Sequence, residues 1–249
     1  MRTRRFMQLD VFSDRPLLGN PLAVVIDGDG LDDLTMQAFA RWTNLSETTF
    51  LLPPTRIDAD YRVRIFTPRQ ELPFAGHPSV GSAYAAIESA LVAPGKCELV
   101  QECAAGLLPV RIEGGGSERI IHVQAPPARL HTPDASEAAR VAQALQVDPA
   151  QVRMRLVDNG PRWLVCDLHD AADVRQLRPD LALIAAISQA IGAIGISVFG
   201  RESAGAAAMA VRAFCPADGI PEDPVTGSDN AAIMAFVADA GDPAGYGLR

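Results

Sequence analysis

The 249-residue chain is 48% hydrophobic and has a net charge of −8. That much apolar material excludes a disordered chain and suits one large or two small domains. Its basic residues are scattered, and all are arginine except Lys96; this argues against a nucleic-acid partner, which needs clustered cations, and against Schiff-base chemistry, which needs a lysine in a pocket rather than in a loop.

The spacing predicts strands over 6–12 and 22–26, a helix over 33–42 opened by aspartate, and strands over 48–52 and 62–66. DGDGLDD, 27–33, lacks the glycine and trailing glutamate of a calcium loop and reads as a polar turn ending in a helix cap. A helix near 78–91 precedes strands over 97–102, 107–112 and 119–124. Glycines and a serine at 114–117, followed by Pro126-Pro127, mark the domain junction, giving domains 1–117 and 118–249. Beyond it come a helix over 134–146, strands over 153–158 and 162–167, a helix over 180–191, strands over 194–199 and 208–214, and a helix over 228–240. The uncharged stretch 181–200 is long enough for a membrane span. Its glycines divide it into a helix, a turn and a buried strand instead. Gly81-Ser82-x-x-Ala85-Ala86-Ile87 echoes Gly227-Ser228-x-x-Ala231-Ala232-Ile233, which suggests two similar halves, each opening a helix.

Cys97, Cys103, Cys166 and Cys215 form no C-x-x-C and fit the reduced, mostly buried thiols of a cytosolic protein. His77, His122, His131 and His169 lack any metal-binding spacing, and neither a nucleophile elbow nor a nucleotide-binding glycine motif is present. No metal and no cofactor are therefore expected.

Three stretches can carry chemistry: NLSETTF (44–50), LPFAGHPSV (72–80) and IPEDPVTGSDN (220–230). The first N–H groups of a helix have no internal partner and bear partial positive charge, so Gly-His-Pro or Thr-Gly-Ser at a helix mouth can cradle a carboxylate. Either loop alone fits an ordinary helix start as well. Glu47, at a helix-to-strand junction, can be a general base or an ordinary surface glutamate. Glu222 and Asp223 can cap the loop or helix, and Asp223 can hold a substrate amino group or share in proton transfer.

Together with Asp10-Val-Phe12 and Gly19-Asn20-Pro21-Leu-Ala-Val-Val25, the motifs Ser46-Glu47-Thr-Thr-Phe50, Phe74-Ala-Gly76-His77-Pro78 and Glu222-Asp223-Pro-Val-Thr-Gly227-Ser228 closely resemble, in order and spacing, the phenazine-biosynthesis PhzF-like family. The resemblance implies the diaminopimelate-epimerase-like α+β fold: two pseudo-symmetric domains, each a curved mixed β-sheet wrapped around a central helix, with the site in the cleft between them. It further implies a homodimer that needs no metal or organic cofactor. Carried over residue by residue, Glu47 is the acid/base, and His77 and Asp223 join it as catalytic residues. Ser46, Gly76, Gly227, Ser228 and Asn20 bind the substrate.

Epimerases of this fold place a cysteine at each helix mouth, where this chain has Ala75 and Thr226, so two-thiol inversion is disfavoured. The family usually continues with further strands past the point where this sequence stops, at GYGLR (245–249), leaving the second domain either short or without its tail. The expectation is a cytoplasmic, cofactor-independent isomerase that moves a proton on a small carboxylic acid, with no nucleic acid or membrane as partner. The alternatives are an amino-acid epimerase using Glu47 and Asp223, and a small-acid binding protein without chemistry.

Overall fold

A computed structural model describes residues 3–203, 208–223 and 227–241, apart from the side chain of Ser117. The chain forms two compact units, 1–126 and 127–249.

The first unit contains β1 (Phe6–Val11), β2 (Asn20–Val25), α1 (Asp33–Thr43), β3 (Thr48–Leu52), β4 (Tyr61–Phe66), β5 (Glu71–Leu72), α2 (Gly76–Glu88), β6 (Glu98–Cys103), β7 (Gly106–Glu113) and β8 (Ile120–Val123). Its sheet has the order β1-β2-β3-β4-β6-β7-β8, with β5 paired to β4. The β2–β3 and β4–β6 pairs are parallel, each crossing over through a helix, and the others are antiparallel. Helix α2 touches β1 and β8, the two ends of that order, as well as β2, β3 and β4; the sheet therefore curls around it.

Composition explains how a helix can be so enclosed. Its buried face is small: Ser79, Gly81, Ser82, Ala83, Ala85 and Ala86. A Cβ at Gly81 would come within 2.5 Å of Leu22 Cδ2 and 3.0 Å of Val11 Cγ2, so the helix backbone itself packs there on side chains of β1 and β2. Two polar ties cross the same layer. Ser82 donates to Thr49 Oγ1 at 2.9 Å, and Tyr61 donates to Gln101, whose amide donates to Ser79 Oγ at 3.0 Å. On the other side of the sheet, α1 buries Met36 and Ala40 against Val25, Phe50 and Phe66. The alternation along β3 sorts the faces, with Thr49 toward α2 and Phe50 toward α1.

The second unit contains β9 (Arg129–His131), α3 (Ala135–Leu145), β10 (Arg153–Asp158), β11 (Arg162–Asp170), α4 (Ala171–Gln176), α5 (Leu181–Ile191), β12 (Gly195–Arg201), β13 (Met209–Cys215), β14 (Ile220–Asp223) and α6 (Ser228–Asp239). The order is β14-β13-β12-β11-β10-β9, antiparallel except for β11–β12. One face packs Trp163, Val165 and Phe199 on Ala232, Ile233 and Phe236 of α6. The other packs Leu164, Cys166 and Val198 on α3, α4 and α5. Covered on both faces, β11 and β12 read as unbroken apolar runs.

Each sheet thus carries one helix of its own half against its inner face, which is the α+β architecture anticipated. The unit boundary falls after Pro126 rather than after residue 117. Strand β8 pairs with β7 from Val110↔Val123 to Glu113↔Ile120, and those bonds keep the intervening glycine turn inside the first sheet. The internal echo is also out of phase: Gly81 lies in the second turn of α2, whereas Gly227 is the residue before α6. Stretch 181–200 folds as α5, a left-handed turn at Gly192 and β12; among the described residues no helix is long and apolar enough to cross a membrane.

Candidate active site

Four helices open in one way. An aspartate precedes α1, α3, α4 and α5, and its carboxylate accepts a backbone N–H of the first turn: Asp32 from Thr35, Asp134 from Glu137, Asp170 from Ala172 and Asp180 from Leu183. The capping aspartate satisfies an orphan donor and offsets the positive end of the helix. Helices α2 and α6 lack such a cap. Ala75 stands before α2 and Gly227 before α6, and neither offers a side-chain acceptor. The first turn of α2 is also free of acidic residues, and Pro78 brings no N–H to it. The N–H groups of Gly76 and His77 head the helix unopposed by any acidic residue of that turn, as an anion seat requires.

Beside this mouth stands Glu47, the residue before β3. Its Oε2 lies 3.5 Å from His77 Nε2; the histidine side chain is 5% exposed and the glutamate 17%. The polypeptide places them together because β3 runs through the curled sheet beside α2, which presents His77 from its first turn. Ser46, next to Glu47, donates its hydroxyl to Asn20 Oδ1 at 3.3 Å, and Asn20 is buried at the start of β2. Gly19 makes that start possible: a Cβ there would fall 2.3 Å from Val11 O and 2.6 Å from Asp10 Oδ1. Asp10 in turn accepts Leu18 N–H at 3.2 Å and folds the 12–18 loop back. The structure therefore brings Glu47 to His77, which follows Gly76 in the first turn of α2, and Ser46 to Asn20.

Phe12 was only part of a motif in the sequence, yet it borders this site. Its ring meets His77 edge-on, with centroids 6.5 Å apart, while it remains 52% exposed. Its φ of 66° is left-handed, unusual for an aromatic residue.

In the second unit, Asp223 ends β14, paired with Ala213. It lies on a strand and not in the loop that the sequence suggested. The reason is its neighbour: Arg212 on β13 grips Glu222 through two bonds of 2.8 Å, which holds Glu222 below the usual carboxylate range and zips the β13–β14 pair. Glu222 is thus a structural residue. Ser228 is the first residue of α6; its Oγ accepts the Trp163 indole N–H at 3.0 Å, and its carbonyl accepts the Asn159 amide at 3.2 Å. Asp229 is fully buried and accepts the Ser197 hydroxyl at 3.1 Å. Thr226, named from sequence beside Ala75, lies outside the described residues.

Sequence reasoning missed Trp163, Asn159 and Asp229. Asp229 left a trace, since it shares the helical stripe of Ala232, Ile233 and Phe236 that faces the sheet. Trp163 and Asn159 left none; only the β10–β11 pairing brings them to α6.

The other reactive groups lie elsewhere. Lys96 is ion-paired with Asp60. Cys103, Cys166 and Cys215 are buried, and desolvation pushes the Cys166 thiol well up and raises that of Cys103. No group of three His, Cys, Asp or Glu side chains suited to a metal occurs among the described residues.

A family model described as phenazine biosynthesis-like protein matches residues 9–245. The chain belongs to the phenazine biosynthesis-like family. Relatives within it agree over most of their length. The trans-2,3-dihydro-3-hydroxyanthranilate isomerase of Pseudomonas aeruginosa is 36% identical over 227 residues, 90% of this chain and 76% of its own. Antisense-enhancing sequence 1 of Schizosaccharomyces pombe is 39% identical over 249 residues, 96% of this chain and 82% of its own. The crystal structure of the Bacillus anthracis phenazine biosynthesis protein of the PhzF family superposes with a TM-score of 0.75 at 26% identity, covering 95% of this chain and 81% of that one. As a phenazine biosynthesis-like protein with named isomerases among its relatives, the chain is an isomerase.

Proposed function

We propose that this isomerase moves a proton between two carbons of a small carboxylic acid, without a cofactor, using Glu47 as its single acid/base. The observation that carries the reading is the 3.5 Å approach of Glu47 to His77 at the uncapped mouth of α2. The Gly76 and His77 N–H groups hold the substrate carboxylate. When Glu47 removes a proton from a neighbouring carbon, negative charge spreads into the acid and its π-system, and fixed donors with His77 stabilise it; such a preorganised donor is worth about 3–4 kcal/mol. Glu47 then returns the proton to a second carbon on the same face. Asn20 and Ser46 set the approach to Glu47. Asp223, Gly227 and Ser228 bind the remainder of the substrate, as the family resemblance implies; the resemblance also implies a homodimer, and the cysteine pattern fits a cytoplasmic protein.

Inversion at one carbon is a different task, because it needs proton donors on opposite faces. The thiols of β6, β11 and β13 are buried, and desolvation raises those of Cys103 and Cys166, which favours the proton shift over two-thiol epimerisation.

The first substrate to test is trans-2,3-dihydro-3-hydroxyanthranilate, named for the Pseudomonas relative. In D2O the product is expected to gain deuterium at one carbon. Glu47→Gln is expected to lower turnover by about 10²–10⁴ with an unchanged circular dichroism spectrum. Full turnover by that variant removes Glu47 from the mechanism, and loss of optical activity without a positional isomer replaces the proton shift with epimerisation.

A further inference from the structure

The indole of Trp163 and the hydroxyl of Ser228 form a pair with a one-sided chemistry. An indole N–H donates and never accepts. At 3.0 Å from Nε1, the serine oxygen must therefore be the acceptor. Its own proton then points along another tetrahedral direction, and among the described residues that proton meets no acceptor. Both groups are buried, Trp163 at 2% exposure and Ser228 at 9%, so bulk water is a poor substitute.

The serine also cannot turn away at no cost. Rotation about its Cα–Cβ bond would leave the buried indole N–H without a partner. Nor can the helix turn move with it. Asn159 Nδ2 holds the Ser228 carbonyl at 3.2 Å, and Ser197 holds Asp229 at 3.1 Å. All three partners sit on or beside the central strands β10, β11 and β12. The Asn159 Oδ1 is itself buried with no hydrogen-bond partner among the described residues, so this end of α6 has acceptor as well as donor capacity to spare.

We propose that Trp163 is a positioning residue, whose N–H locks the Ser228 hydroxyl as a hydrogen-bond donor to an oxygen of the substrate. This rests on the reading of Ser228 as substrate-binding. An oxygen that accepts one hydrogen bond donates its own proton more strongly, so Trp163 also sharpens the donor it aims.

The chain's two tryptophans allow a direct test, because Trp42 is 77% exposed and on α1. Protein labelled with ¹⁵N at the indoles gives two indole N–H resonances, assigned with Trp42→Phe. 3-Hydroxyanthranilate serves as a stable aromatic carboxylate probe, with its affinity measured by calorimetry. The probe is expected to shift the Trp163 resonance and leave Trp42 in place. Ser228→Ala is expected to abolish that shift and weaken binding about three- to tenfold. Trp163→Phe is expected to weaken binding to the same degree, and the double variant no further than either, since both remove one interaction; a merely structural indole would give additive losses. Probe binding with a motionless Trp163 resonance, or additive losses, overturns the proposal alone. If Trp163→Phe does not fold, the wild-type and Ser228→Ala spectra decide. A wild-type protein that binds no probe overturns the carboxylate-isomerase reading and this inference with it.

Discussion

The mouths of α2 and α6 share the lack of an aspartate cap but treat their first turns differently. In α2 nothing acidic enters the turn, and the titratable pair Glu47–His77 stands beside it. In α6 the turn contains Asp229, buried and engaged by Ser197, and the neighbouring polar groups are turned inward onto Trp163 and Asn159. A carboxylate in the first turn opposes a second anion there. The two helix mouths thus differ: a titratable pair stands beside the first, and the second has its polar groups engaged by Trp163, Asn159 and Ser197.

The sharpest way to break this contrast is at His77. His77→Ala is expected to lower kcat/KM about 100-fold or more, the cost of one preorganised donor, with little change in thermal stability relative to that loss. An effect below about threefold would assign the chemistry to the other half. Next comes the missing cap. Ala75→Asp gives α2 the opening that the other four helices have, and it is expected to lower carboxylate binding about tenfold by placing an anion at the Gly76 and His77 N–H groups. Asp134→Ala on α3 is the matched control. It removes a capping box and is expected to cost about 1 kcal/mol of stability, read by urea unfolding, with kcat/KM unchanged.

The smallest effect belongs to the β13–β14 pair. Arg212 lowers the pKa of Glu222 chiefly through hydrogen bonding, against a smaller opposing contribution from burial. A group whose pKa is lowered by folding contributes stability above its unfolded pKa and loses it as pH falls through the folded value. Glu222→Gln is therefore expected to cost up to about 1 kcal/mol at pH 7, as for a partly exposed pair. The difference from wild type should vanish below the folded pKa. A gap that persists undiminished in acid would mean that charge is not what zips this edge.

Long elements were legible because their periodicity is strong. Alternation in Tyr61–Phe66 and the aspartate before α1 located β4 and α1 closely. The short β5, β9, β14 and α4 were not legible, because their placement is enforced by neighbours distant in sequence. The Glu222–Arg212 clasp is the case in point. For the site, glutamate, glycine and histidine were readable as a motif. The indole behind Ser228 was not, since sixty-five residues separate the two and nothing local marks Trp163 as anything but core. The domain junction was misplaced for a similar reason: glycine-rich composition marks a turn, but hydrogen bonding between β7 and β8 decides which sheet owns it.

The bare contact at Gly81 has a mechanical corollary. With only a hydrogen atom between the helix backbone and Leu22, two residues beyond Asn20, slack cannot develop in one layer without being felt in the other. A single added methyl group at position 81, more than a full turn from His77, would press on the Leu22 and Val11 side chains, which must then shift. A position with no chemistry of its own thus sets how closely the helix that carries His77 packs on the side chains of β1 and β2.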